Sequence, residues 1–336
     1  VPNAVASVVE LAFGPISDAG GRRPLLLGGG VAFAVALVVA ALAPGFGVLL
    51  AAFLLLSPAS GAFVGLSQTA LVDLEPGRHE QAMARWTLAG SVGVAAGPLL
   101  LAGAVALGGG WRSVLLALAL GTVPLVVLAG RLPLATAAAG AGFRVEVHRT
   151  IAALRRRDVL RWLGLLEAGD LIGDVFSGFV ALYFVDVAGA SPARAALAVA
   201  LLAGASLAGD ALLVVLLERG VSGVAYLRVS AVAVLAVVPA FLLFPDGAKL
   251  VPLALLGLLR AGWYAILKAR LFTALPGQSG AALSLSSLSG LAGSFPPLLV
   301  GLLAERVGLG NALWVVLLGP IALLAALPRA VPSRDD

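Results

Sequence analysis

Eleven apolar runs constrain this chain more than any other feature: about 1 to 16, 24 to 43, 48 to 72, 87 to 107, 112 to 130, 162 to 186, 194 to 217, 228 to 244, 250 to 268, 281 to 304 and 309 to 328. Gly, Pro or charge clusters separate each run from the next. About 20 largely apolar residues cross roughly 30 Å of hydrocarbon, so this many runs of this length predict an all-α bundle embedded in lipid. Of 336 residues, 61% are hydrophobic and 12% charged, against about half and about a quarter in soluble domains. No water-soluble fold of this size hides that much apolar side chain.

The net charge of +5 does not point to nucleic acid, because the basic residues sit in short clusters between apolar runs rather than in one stripe. With alternate loops on opposite sides, seventeen of the 22 Lys and Arg fall on one side, including Arg22, Arg23, Arg78, Arg85, Arg144, Arg329 and Arg334. Arg112, Arg194, Lys249 and Arg306 fall on the other, and Arg260 lies within a run. The rich side, with the C-terminus, is therefore expected to be cytoplasmic, in a bacterial plasma membrane. There are no cysteines, which excludes disulfides, thiolate metal sites and a cysteine nucleophile. His79 and His148 fall in polar segments and read as solvated. No metal cluster or nucleophile with its base is evident, so neither an enzyme nor a cofactor is expected.

The longest polar interruption runs from Arg131 to Arg161 and ends in a basic amphipathic stretch suited to a membrane surface. It divides the chain into an N-terminal half bundle (1–131), a linker (132–161), a C-terminal half bundle (162–330) and a tail (331–336). A shift of 200 residues superposes Glu10 on Asp210, Asp18 on Glu218 and Pro76-Gly77 on Pro276-Gly277, which is what a duplicated half predicts. The same shift leaves the run at 162 to 186 without a partner. The chain starts with Val1 and its only methionine is Met83, so the expectation is a twelve-span protein whose first span lies upstream. Spans are numbered two to twelve on that basis. The first residues carry no secretory signal.

After span two comes Gly14-Pro15-Ile16-Ser17-Asp18-Ala19-Gly20-Gly21-Arg22-Arg23, which resembles the loop signature of the major facilitator superfamily, with Ala19 in place of the usual first Arg. The glycines permit a tight turn. Asp18, Arg22 and Arg23 form a charge cluster able to latch helices in one state and release them in another. Glu218-Arg219, after span eight, is a degenerate echo. Span five carries Gly93, Gly97 and Pro98, similar to the glycine-proline signature of the family's antiporters, and small residues at that spacing let helices approach closely. The resemblance implies two six-helix halves related by a pseudo-twofold axis, eleven spans being present. Drug antiporters of the family often carry an arginine in span four, but Leu54 to Gly65 contains no charge.

Span seven carries Glu167, Asp170 and Asp174, spaced to share one helical face. Carboxylates in a bilayer cost several kcal/mol unless paired, protonated or wet, so the stripe marks a functional surface. Arg260, with Trp263 and Tyr264, lies near the middle of span ten. In the family fold spans one, four, seven and ten line the cavity, so the resemblance implies that Arg260 faces Asp170 or Asp174. Glu10 and Asp210, the repeat-related acids, are secondary candidates. A pair of Arg260 with a span-seven aspartate suits an anionic group held on Arg260, a cationic group held on the aspartates, or an exchange of partners on protonation.

The expected function is secondary transport by alternating access: proton-driven efflux of a small organic solute by a monomer in a lipid bilayer. The alternatives are proton-coupled uptake of a sugar or organic acid, and a sensor that keeps the fold without transport.

Overall fold

A computed structural model describes residues 2–132, 142–293 and 295–328. The expected tail at 331–336, Arg329, Arg334 and part of the linker lie outside the described residues. Twelve helices follow one another, and no strand occurs among the described residues. The first, α1 (Pro2–Glu10, carried on through Phe13–Ile16), turns into α2 (Arg22–Leu42). Then come α3 (Phe46–Leu74), α4 (His79–Ala106), α5 (Trp111–Arg131) and the amphipathic α6 (Phe143–Ala153). The rest are α7 (Arg157–Val187), α8 (Pro192–Glu218), α9 (Gly223–Leu243), α10 (Leu250–Ala274), α11 (Ser279–Val307) and α12 (Leu309–Ala326).

Ten helical stretches are long and apolar enough to cross a membrane, and the first of them, Val5–Leu42, comprises α1 and α2. Between these two the chain makes a wide turn over Ser17–Gly21, with Gly20 at φ +102°. A β-carbon is disfavoured in that left-handed region, so glycine makes the corner possible. Among the described residues the eleven apolar runs thus match eleven helical segments, with α6 the only additional helix.

The helices fall into two compact units, each containing pieces of both halves of the sequence. Unit one comprises Val1–His79, Ala96–Leu160 and Leu271–Ala292. Unit two comprises Glu80–Ala95, Arg161–Arg270 and Gly293–Asp336. Each takes in the first half of a helix, α11 or α4, whose second half belongs to the other, and these two helices start 200 residues apart. Within unit one, α2 packs along α5 and α3. Within unit two, α8 packs along α10 through Gly209 and Gly257: an added β-carbon would sit 2.7 Å from Leu258 O or 2.8 Å from Leu202 O. Where lipid removes the hydrophobic drive between helices, such close backbone approach supplies the packing energy.

Four spans depart from a regular helix among the described residues, α12 by tightening to a 3-10 turn over Leu313–Leu317. A wide turn over Gly61–Gly65 interrupts α3, and another over Leu171–Val175 interrupts α7. In α10 the helix ends at Arg260 and restarts at Trp263, across Ala261 (ψ 140°) and Gly262 (φ +80°). The apolar run at 250 to 268 reads as continuous in sequence. Backbone irregular at membrane depth is tolerated only where protein or a water-filled cavity satisfies it.

Candidate functional site

The break in α10 and the wide turn in α7 meet at one cavity of about 370 Å³ in unit two, lined by Asp170, Asp174, Asp210 and Arg260 together with Ser91 and Ser206 among others. The expected acids of span seven and the base of span ten are thus brought together. They face one cavity, and the cation's hydrogen bonds go to other groups. The Arg260 guanidinium donates to Gly173 O at 2.6 Å, Ser177 Oγ at 2.9 Å, Ser206 Oγ at 3.2 Å and Ile172 O at 3.4 Å. Among the described residues it forms no ion pair within 4 Å. A wide turn leaves carbonyls without their usual helical donor, and the arginine takes those of residues 172 and 173. Asp170 and Asp174 line the cavity without being consumed by the cation.

Asp210, a secondary candidate by sequence, belongs to the same cavity. It is buried, and its carboxylate accepts a hydrogen bond from Ser91 Oγ at 2.5 Å. Tyr264 lines the cavity and lies beside Trp86, with ring centroids 6.1 Å apart. Trp263 also contributes to the wall, but it is 3% exposed and its indole N–H is spent on Ser230 Oγ at 2.9 Å, so its role is largely packing. Glu167 does not line the cavity; its carboxylate lies against Gly293.

Glu10 sits elsewhere, in unit one, near Phe53, Ser57 and Ser60. Its carboxylate accepts from Ser287 Oγ at 2.8 Å and covers Gly61, where any β-carbon would strike it. The repeat offset of 200 carries this arrangement across: Glu10 maps to Asp210, and Gly61 at the α3 wide turn maps to Ala261 at the α10 break. Each unit therefore holds an acid beside an irregular helix and under a serine hydroxyl.

The loop signature builds a second, closed cluster in unit one. Asp18 accepts the backbone N–H groups of Gly280 and Ala281, both at 2.9 Å, at the start of α11. A carboxylate at that position also meets the positive end of the helix dipole. Arg22 is buried and pairs with Asp73 at 2.5 Å, with Asp18 at 3.6 Å, and donates to Ser17 and Ser279. Gly14 passes so close to Gly280 that a β-carbon would collide with its carbonyl, and the Gly14 N–H donates to Ser284 Oγ at 3.1 Å. At Gly21 a β-carbon would press on Ile16 at 2.8 Å. Arg23 donates to Gly130 O.

Two further expectations come out differently. Glu218 and Arg219 are exposed, and the acid at the start of the next helix in unit two is Glu80, which accepts the Gly223 N–H at 3.2 Å and pairs with Arg270 at 2.7 Å. Sequence reasoning missed Glu80, although the offset of 200 places it on Gly280, the partner of Asp18. At Gly93 and Gly97 a β-carbon would meet nothing within 4 Å, and α4 runs helically through Pro98. The glycine-proline signature therefore mediates no close helix approach among the described residues.

Charged groups around a cavity at a broken helix, inside a bundle of spanning helices, define a multi-pass membrane protein of transporter architecture. The chain matches the Major Facilitator Superfamily over residues 2–290 and belongs to that family. The structure of the transporter FucP in the outward conformation superposes with a TM-score of 0.82 at 12% identity, over 97% of this chain and 88% of that one. The human organic anion transporter MFSD10 gives 0.73 at 23% identity, over 97% of this chain and 83% of that one. A chloramphenicol resistance protein of Pseudomonas aeruginosa is 36% identical over 116 residues, 34% of this chain and 27% of that protein. The chain thus aligns with about a quarter of that relative's length. Among the described residues, no group of three His, Asp or Glu side chains is placed to hold a metal ion.

Proposed function

We propose that the protein is a secondary transporter that moves a small polar solute together with protons by alternating access. The coupled site is the cavity of Asp170, Asp174, Asp210 and Arg260. One observation carries the reading: Arg260 is held by carbonyl and hydroxyl oxygens, which leaves the neighbouring carboxylates available to protons and solute. Hydroxyls of Thr87, Ser91 and Ser206 complete a wall rich in hydrogen-bonding groups. A site built to hydrogen-bond suits a sugar or organic acid better than an apolar drug. Proton-coupled uptake is therefore the reading favoured over the efflux expected from sequence. It is also consistent with the fold shared with a fucose:proton symporter of E. coli, at a TM-score of 0.78.

Efflux keeps one specific observation, the similarity to the chloramphenicol resistance protein over 116 residues. In either direction the protein works as a monomer of two pseudo-symmetric six-helix halves, its basic loops and C-terminus facing the bacterial cytoplasm. The proton gradient supplies the drive, with no cofactor. Glu10 is the equivalent acid of the other repeat.

The test is proton flux in proteoliposomes, with a panel of sugars, organic acids and drugs, for the wild type and Asp174→Asn. A solute-dependent proton signal that the variant loses is the expected result, and its sign separates symport from antiport. Absence of any signal from folded protein over the panel overturns proton coupling and leaves a uniporter or a sensor.

A further inference from the structure

The amphipathic helix α6 lies against unit one and encloses a groove of about 240 Å³ with the end of α1 and the start of α11. Its walls are almost wholly apolar: Leu11, Pro15, Ile151, Leu154, Leu285 and Leu288. Ile151 remains 54% exposed and Leu288 37% exposed at its rim. Water gains little in such a space, so the groove calls for an apolar occupant.

The surface beside the groove is cationic. Arg144 and His148, four residues apart, share one side of α6, and Arg155 lies in the turn just past its C-terminal end; all three are exposed. Helical spacing places that stripe next to Val147 and Ile151, which line the groove. The inward face is already neutralised, because buried Glu146 pairs with Arg149 at 2.9 Å. Arg144 and Arg155 have no carboxylate within 4 Å among the described residues. An apolar slot bordered by unpaired cations, at the membrane end that carries the basic loops, is complementary to an anionic amphiphile.

We propose that this groove holds one acyl chain of an anionic phospholipid, whose headgroup lies along the strip of Arg144, His148 and Arg155. The lipid then bears directly on the latch. Ser284 lines the groove, and its hydroxyl donates to Leu11 O at 2.9 Å while accepting the Gly14 N–H. A chain lying over that junction favours the state in which α1 and α11 are in contact. By linkage, that state binds the lipid more tightly than any state in which they part.

The test is lipid binding to the purified full chain, followed by native mass spectrometry and by melting temperature in detergent. Phosphatidylglycerol is compared with phosphatidylcholine of the same chains, and with inorganic phosphate. The variants are Arg144→Gln/Arg155→Gln, Ile151→Trp to fill the groove, and Arg306→Gln as a control on α11 away from the site. The expected result is saturable binding of one phosphatidylglycerol with a rise in melting temperature that phosphatidylcholine and phosphate do not give. The double variant should need ~30-fold more lipid, the loss expected for two basic side chains near an anionic headgroup, and Ile151→Trp should abolish the high-affinity site. Equal binding of both phospholipids, or unchanged affinity in both groove variants, overturns the proposal. So does full competition by inorganic phosphate, which would place the site on the cations alone. Should the double variant fail to fold, Ile151→Trp decides the question by itself.

Discussion

Two clusters of buried charge use the same residue types to opposite effect. In unit one, Arg22 meets Asp73 and Asp18, and the Asp18 oxygens are filled by two N–H groups of α11. In unit two, Arg260 turns to carbonyls and hydroxyls, while Asp170 and Asp174 remain in the cavity without an ion pair among the described residues. A saturated cluster holds parts together and leaves little room for a solute, because its donors and acceptors are largely engaged with one another. An unsaturated one keeps groups poised for a partner that arrives from outside. The contrast separates holding from working more sharply than the count of charges does.

The contrast fails most visibly if the two arginines prove equivalent. Arg22→Ala takes the cation from Asp73 and Asp18 and should lower stability by about 3 kcal/mol, the low end for breaking a buried pair because Asp73 is partly exposed and both acids keep other donors. Arg260→Ala strands only carbonyls and hydroxyls, and should cost clearly less in the same detergent denaturation. Equal losses would mean that the cavity is a structural ion cluster after all. Next in size is the effect of Asp170→Asn or Asp174→Asn on function, a fall in solute-dependent proton flux of roughly a hundredfold, with the melting temperature unchanged. Asp18→Asn should do the reverse, lowering the melting temperature through a weakened cap on α11.

A third variant sharpens the account of the latch. Gly14→Ala pushes a methyl into the Gly280 carbonyl, and overpacking of this kind costs about 1 to 3 kcal/mol. Because the clash exists only while α1 and α11 touch, the variant should also shift a spectroscopic reporter of that contact towards the separated state. A stable variant with an unshifted reporter would show that the close approach contributes nothing to the closed state.

Much of this was readable in the chain. Apolar length alone gives the spans, since lipid admits few alternatives, and the pairing of Glu10 with Asp210 survives as a shared local design. The glycines and charges at 14 to 23 announce a latch, but its partners do not show. Asp73, Ser279 and Gly280 are ordinary residues until folding brings them from 51 to 262 positions away. The α10 break was missed for a different reason. Ala261 and Gly262 do not interrupt hydropathy, and only the backbone angles show that the helix stops there. That break opens onto the cavity that Asp210, on the continuous α8, also lines. The wide turn at Leu171–Val175 likewise frees the carbonyls that draw Arg260 away from the acids its position suggested.

The smallest expected effect probes the repeat itself. Ser91 donates to Asp210 at 2.5 Å and Ser287 donates to Glu10 at 2.8 Å, and each acid lies beside an irregular helix. Removing either hydroxyl leaves one carboxylate short of a donor, so Ser91→Ala and Ser287→Ala should each cost about 1 kcal/mol or somewhat more of stability. Their functional consequences should differ. Asp210 shares the cavity with Asp170, Asp174 and Arg260, so Ser91→Ala alters the charge at which protons and solute are handled and should displace the pH profile of flux. Ser287→Ala acts on an acid outside that lining and should leave the profile in place while matching the loss of stability. If the two profiles move together, the acids of both repeats belong to one proton pathway, and the division between a holding unit and a working unit gives way to a symmetric machine in which each repeat titrates.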